Sequence, residues 1–219
     1  MPLLELTDVG ARYGDATALT GVSLTLGEGE VVAVFGASGA GKTTLLRTVI
    51  GDVKTSGEIR LDDERLYRRS PERMARRGVL HLAARGGIFG ELSVLENLRL
   101  GSWTHRGASP RDLAHVYETF PAFYDARDET ARTLDAGEQR LLALARAMMA
   151  RPRLLLVDEP SLGLDPAGAR DVFDALHTVN QRGAAILLVD QRRGLATELA
   201  DRTFALDAGR PVALAALGY

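Results

Sequence analysis

Two short stretches of this chain have the residue types and spacing to do chemistry together. The first is Gly36-Ala37-Ser38-Gly39-Ala40-Gly41-Lys42-Thr43-Thr44, which fits the phosphate-loop pattern G-x-x-x-x-G-K-[ST]. Its glycines let the backbone curl until successive N–H groups point at one anion. A helix beginning at the loop would add its positive dipole end. Lys42 can reach the outer phosphates of a nucleotide, and the Thr43 hydroxyl can ligate Mg²⁺. Lys42 is also one of only two lysines among 27 basic residues. The second stretch is Asp158-Glu159, two adjacent carboxylates closing the apolar run Leu154-Leu155-Leu156-Val157. Asp158 is suited to the Mg²⁺ shell and Glu159 to polarising an attacking water.

Both stretches need elements to hold them. Val31 to Phe35 is uniformly apolar and reads as a buried strand running into the glycine loop, and Leu45 to Ile50 reads as the first turns of the helix leaving it. Leu154 to Val157 reads as a central parallel strand, whose carboxyl end is where open α/β sheets place ligands. Ala184 to Gln191 is a second strand of that kind. Between the carboxylates and this strand lies a tight loop, Ser161-Leu162-Gly163-Leu164-Asp165-Pro166, followed by a helix from about Ala167 to Gln181.

The first segment is β-rich. Leu4 to Thr7 and Val22 to Leu26 alternate in polarity, and Ser56 to Leu61 is a further short strand. Tyr13, in Arg12-Tyr13-Gly14, could stack on an adenine ring. Arg68 to Arg77 reads as a basic, solvated helix. Val79 to Leu82 reads as a buried strand entering the loop Ala83-Ala84-Arg85-Gly86-Gly87. Ser93 and Glu96 form a capping-box pattern, and residues 92–132 read as a small helical subdomain with Trp103 packed within it. Asp135-Ala136-Gly137-Glu138-Gln139 opens a long helix that stops before Pro152, with Asp135 and Glu138 in the Asp form of the capping pattern. Phe204 to Leu214 reads as a terminal hairpin.

Composition bounds the rest. The chain has 219 residues, 46% hydrophobic and 26% charged, with a formal net charge of −2. That suits one large domain, and the near-neutral balance argues against nucleic acid as the main partner. Cysteine is absent, which excludes disulfides and thiolate–metal sites. Met1 to Leu6 has neither a basic segment nor a long apolar run, so it does not read as a signal peptide, and no stretch approaches the roughly 20 apolar residues of a membrane span.

Tyr13, GASGAGKTT at 36–44, GEQ at 137–139, LLLVDEPSLGLDP at 154–166 and a strand ending at Gln191 occur in this order, and together they resemble the ATP-binding subunit of an ABC transporter over essentially the whole chain. Ser93 to Leu98, Arg151-Pro152-Arg153, Ser161 to Leu164 and Gln191 resemble most closely the branched-chain amino-acid importer branch. The resemblance implies an α/β fold: a P-loop core with a mainly parallel sheet flanked by helices, an N-terminal antiparallel β-subdomain and a helical subdomain. It divides the chain into a core at 1–91 and 133–219 and a helical lobe at 92–132. It implies ATP and Mg²⁺ as cofactors, with Lys42, Glu159 and Gln191 catalytic, and Gln191 standing where most relatives carry a switch His. The nucleotide would be held by Tyr13 and by Gly36, Ala37, Ser38, Gly39, Ala40, Gly41, Lys42, Thr43 and Thr44, and the metal by Thr43 and Asp158. The signature Asp135, Ala136, Gly137 and Glu138 would face the nucleotide of a second ATPase subunit, with Ser161, Leu162, Gly163, Leu164 and Asp165 as the D-loop. It also implies transmembrane permease subunits as partners and a cytoplasmic location, peripheral on the inner face of the membrane.

Two departures stand out against that family. Its signature is Leu-Ser-Gly-Gly-Glu-like, and here it is Leu134-Asp135-Ala136-Gly137-Glu138. Asp135 would bring a carboxylate toward a polyanion, and two unit charges about 4 Å apart repel by roughly 4 kcal/mol at an effective dielectric near 20. Turning Asp135 back to cap its helix would relieve this. The second departure is Ala84, where the family carries Gln, or Glu in the branch most resembled; the neighbouring Arg85 is a candidate substitute. The implied dimer is therefore asymmetric, a heterodimer in preference to a homodimer. Three other readings remain open: a regulatory subunit that binds ATP and hydrolyses little, a soluble non-transport ABC ATPase, and a small P-loop kinase.

Overall fold

β3 (Val31–Phe35), the strand feeding the glycine loop, is buried along its whole length. It lies third in a six-stranded sheet of order β10-β9-β3-β8-β7-β6. Its neighbours are β8 (Ala185–Asp190) and β9 (Arg202–Asp207), both parallel to it. β7 (Leu154–Asp158) and β6 (Val79–Leu82) extend the parallel run, and β10 (Arg210–Val212) closes the other edge antiparallel. Uninterrupted apolar strands belong in such a sheet because both faces are covered. Val32 and Val34 enter one core, while Val31, Ala33 and Phe35 enter the other. The computed structural model describes residues 1–217 except 68, 85–86, 105–106 and 192.

The first core lies under an antiparallel sheet of order β2-β1-β4-β5. β1 (Leu4–Tyr13) and β2 (Ala16–Leu26) form its hairpin, with β4 (Lys54–Leu61) and β5 (Glu64–Arg65) alongside. The hairpin is longer than the alternation at 4–7 and 22–26 indicates. Register shifts between Leu6 and Arg12 break the period of two, so the outer half loses its sequence signal. α1 (Lys42–Ile50) fills the space between the sheets through Leu45, Leu46 and Val49.

α2 (Pro71–Arg76) is shorter than the basic stretch 68–77. Ser70 caps it, accepting from Arg73 N at 3.3 Å, and Pro71 takes the first helical position. Arg68 lies outside the described residues.

The second core carries the helices of the opposite face. α3 (Val94–Gly101) begins at the Ser93/Glu96 capping box. α4 (Pro110–Thr119) and α5 (Ala122–Asp125) follow, and Val94, Leu98, Val116, Phe120 and Phe123 join the same core as the central strands. α6 (Ala136–Met149) and α7 (Pro166–Gln181) lie against them, and α8 (Gly194–Leu199) precedes β9. β9 and β10 form the expected terminal hairpin, and a 3₁₀ turn at Leu214–Leu217 follows.

Candidate functional site

The glycine loop sits at the carboxyl end of β3 and delivers directly into α1. Gly41 is the residue before α1, at φ 97°, a conformation an L side chain resists. A Cβ there would also come within 2.7 Å of Leu19 and 2.9 Å of the Ala18 carbonyl. No side chain caps this helix end, which opens on a cavity of about 550 Å³ lined by Gly41, Lys42, Thr43 and Thr44. A helix N-terminus without a side-chain cap keeps its N–H groups for an anion.

Lys42 is 5% exposed. Its Nζ donates to Gly36 O at 2.8 Å and Ala37 O at 3.0 Å, and lies 3.6 Å from Glu159 Oε1. Thr43 Oγ1 donates to Asp158 Oδ1 at 3.1 Å. Burial pushes the Asp158 carboxyl above its ordinary value; the Thr43 hydroxyl opposes that rise and the neighbouring Glu159 adds to it. A carboxylate whose charged form is penalised by burial is one a divalent cation would stabilise.

Glu159 follows β7 with φ at 43°, so the chain turns sharply there and its N–H donates to Val189 O at 2.8 Å. Gln191, just past β8, donates from Nε2 to Glu159 Oε1 at 2.7 Å. β8 separates β3 from β7, so its end sets Gln191 between the glycine loop and the carboxylates. Ser161 Oγ donates to Asp190 Oδ2 at 3.2 Å, and Leu164 N donates to Ser161 O, closing the 161–165 turn. Asp165 then caps α7 through Gly168 N at 2.8 Å.

The cavity thus gathers Ser38, Gly39, Gly41, Lys42, Thr43, Thr44, Asp158, Glu159 and Gln191. Ala84 joins its lining with only a methyl group to offer, and Arg85 lies outside the described residues. Asp135 to Glu138 are not brought to this cavity. Asp135 caps α6 instead: Oδ1 accepts from Glu138 N at 2.8 Å while Glu138 Oε2 accepts from Asp135 N at 2.9 Å. Tyr13 stands at the tip of the β1–β2 hairpin, 43% exposed, its hydroxyl accepting from Arg47 at 3.4 Å. Trp103, expected to pack, is instead 54% exposed.

Sequence reasoning missed four lining residues: Thr17, Ala18, Ala208 and Gly209. None carries a motif. Gly209 N bonds to Ala40 O and its carbonyl accepts from Thr20 N, so the terminal hairpin braces the glycine loop. A Cβ on Gly209 would collide with Ala18 O. The positive φ of 77° at Gly209 is the physical reason for a glycine there, but only tertiary contact makes it part of the site.

Residues 19–162 match the ABC transporter family model. The chain is 36% identical over 212 residues to the high-affinity branched-chain amino acid transport ATP-binding protein BraG of Pseudomonas aeruginosa, covering 96% of this chain and 91% of that protein. It is 32% identical over 234 residues to BraF of the same organism, covering 97% and 91%. Among solved structures it is similar to a dimeric ATP-binding cassette bound to ADP and phosphate, with a TM-score of 0.82 and 23% identity over 96% of this chain and 97% of that one, a likeness of fold.

Proposed function

Because the chain belongs to the ABC transporter family as an ATP-binding and ATP-hydrolysing subunit, we propose that its cavity binds Mg-ATP in cis and that the chain powers uptake of branched-chain amino acids. The observation carrying this is the convergence of Lys42, Thr43–Asp158 and Glu159–Gln191 on the mouth of one glycine loop. In this reading residues 36–44 wrap the phosphates and Lys42 turns from its carbonyl contacts to the outer ones. Thr43 and Asp158 hold Mg²⁺, which supplies charge neutralisation for the phosphates. Glu159 polarises the attacking water, and Gln191 holds the carboxylate in place. Tyr13 offers a stacking face for adenine.

The signature segment at Asp135 to Glu138 acts across a dimer interface, on the nucleotide of a second ATPase subunit, with residues 161–165 beside it. The cap of α6 engages Asp135 Oδ1 and relieves part of the repulsion; the charge it leaves toward the partner's phosphates would make that trans site the weaker of two. A heterodimer with a subunit carrying an intact signature follows. The permease docks on a groove of about 570 Å³ between α2, β6, α3 and α6, where Phe89, Leu100 and Trp103 are 53%, 41% and 54% exposed. No helix among the described residues is long and apolar enough to cross a membrane. Attachment to the inner face of the membrane would come through that groove.

Lys42→Ala tests the cis site. Hydrogen bonds to charged groups contribute about 1.5–3 kcal/mol, so ATP affinity should fall roughly ten- to hundredfold, measured by titration with a fluorescent ATP analogue. Unchanged affinity would overturn the assignment. A second reading is favoured by Asp135 and by the bare Ala84: a regulatory subunit that closes on ATP with little hydrolysis. Release of phosphate by the assembled transporter that disappears in Glu159→Gln would exclude it.

A further inference from the structure

Arg140 lies on α6 and is absent from every motif that first marks the chain. Its guanidinium joins three segments that otherwise belong to different parts of the nucleotide machinery. Nη1 donates to the carbonyls of Ala83, at 3.3 Å, and of Ala84. Nη2 donates to Leu162 O at 3.3 Å. Ala84 lines the phosphate cavity. Leu162 belongs to the 161–165 turn, and its own N–H donates to Glu159 O at 3.0 Å. Arg140 itself stands two residues after Glu138, within a turn of the segment placed opposite a partner's nucleotide.

The guanidinium also has a charge partner in range. Burial lowers its proton affinity and the Asp158 carboxylate raises it. Both residues line a small pocket of about 80 Å³ together with His81, Arg146 and Pro160. Arg140 is thus a half-buried cation whose hydrogen bonds go to backbone carbonyls, with no ion pair to Asp158 among the described residues, rather than a solvated surface arginine.

Ala84 has no side-chain atom with which to sense a phosphate or a cation. At Ala84 itself a rearrangement of the cavity can be passed on only through the backbone. The only side-chain donor to that backbone among the described hydrogen bonds is Arg140. A planar fork with several fixed N–H donors couples the groups it holds, because shifting one carbonyl reorients the plane presented to the other.

The geometry points to Arg140 as a positioning residue that links occupancy of the chain's own phosphate cavity to the placement of α6 opposite the partner's nucleotide. It does so by holding Ala83–Ala84 and Leu162 to one helix. It touches neither nucleotide nor the attacking water. This rests on the reading of residues 36–44 as the cis nucleotide site.

The test uses the assembled transporter carrying Arg140→Met, which keeps an unbranched apolar stem and removes the donors, and Arg140→Lys, which keeps charge and loses the fork. ATP turnover is followed against ATP concentration, with ATP-analogue binding and thermal melting on each variant. The expected result for Arg140→Met is a kcat about tenfold lower, a KM within twofold and analogue binding unchanged. Arg140→Lys should recover only part of kcat, since one ammonium cannot hold both segments. Adding Ala84→Gln to Arg140→Met should recover part by restoring a polar side chain to the cavity. A lower melting temperature with kcat unchanged would make Arg140 a structural tether and overturn the proposal. Full recovery by lysine would do the same, assigning the effect to charge near Asp158. Loss of analogue binding would place Arg140 in the nucleotide site itself. Retained binding in Lys42→Ala would instead fail the reading of the cis site, and is scored separately.

Discussion

Asp135 combines two roles that pull apart. As a cap it suits α6: its carboxylate accepts the Glu138 N–H, sits at the positive end of the helix dipole and completes a reciprocal pair with Glu138. In its proposed place facing the phosphates of another subunit it would bring negative charge to a polyanion. Serine separates the two roles, because it caps a helix about as well as aspartate but carries no charge. Asp135→Ser should raise ATP turnover of the assembled transporter several-fold, about 1 kcal/mol, while leaving the melting temperature of the isolated chain nearly unchanged. Asp135→Asn should do the same. If turnover stays flat in both variants with α6 intact by circular dichroism, the carboxylate is not the obstacle. Such residue-scale chemistry was legible in the sequence wherever one short segment contains all its parts. Lys42 and Thr43 fall within one loop and Asp158 and Glu159 are adjacent, so their types and order suffice. Gln191 was legible by family resemblance, and its bond to Glu159 crosses 32 residues. Arg140, Thr17 and Gly209 had no such signal. Their roles come from what the fold sets beside them, and an arginine in a helix or a glycine in a turn has the same spelling whether or not it meets a cavity.

At the scale of elements, apolar runs and caps carried the reading. β3, β7 and β8 are buried from end to end, so an unbroken apolar run located each. The Ser93/Glu96 and Asp135/Glu138 boxes fixed the starts of α3 and α6. α4 was less visible, because Pro110 looks like an interruption when it is the first residue of the helix. Its capping box uses Asp112 in place of the usual Glu or Gln. Asp112 also binds Arg151 in two places, at 2.8 and 3.1 Å, tying α4 to the end of α6. The Arg151 guanidinium holds the Asp112 carboxyl down to about 2, against an ordinary 3.8, with Ser109 helping. A depressed carboxyl stabilises the fold above its unfolded pKa, and that contribution is lost as pH falls toward 2. Arg151 is 61% exposed, so water screens the pair and its contribution to stability is small. Asp112→Asn should therefore unfold at lower urea than the parent at pH 7, with the gap closing between about pH 4 and pH 2. A gap that persists at pH 2 would show that Asp112 acts by shape rather than by charge.

At the scale of the molecule, the proposed roles of these parts call for a second subunit. The cavity collects the glycine loop, Asp158, Glu159 and Gln191 but none of Asp135 to Glu138, although all belong to one fold. An interface that uses both sets must place α6 of one chain over the glycine loop of another. Closure is then a contest between the attraction of both surfaces for the ATP held between them and the repulsion contributed by each Asp135. In a homodimer that repulsion acts at both nucleotides, and in a heterodimer at one. Glu159→Gln should trap whatever closed state the chain can reach, by removing the carboxylate proposed to polarise water while preserving the length of the side chain that Gln191 holds. The mass of this variant in solution, with and without Mg-ATP, therefore decides between the two assemblies. A monomer that still binds ATP is the expected outcome, because an Asp135 carboxylate would oppose closure at each of the two nucleotides, and it directs the search to a partner with an uncharged signature. A dimer appearing only with Mg-ATP would mean that the cap at α6 turns both carboxylates far enough from the phosphates for a homodimer to close, and the heterodimer would no longer be required.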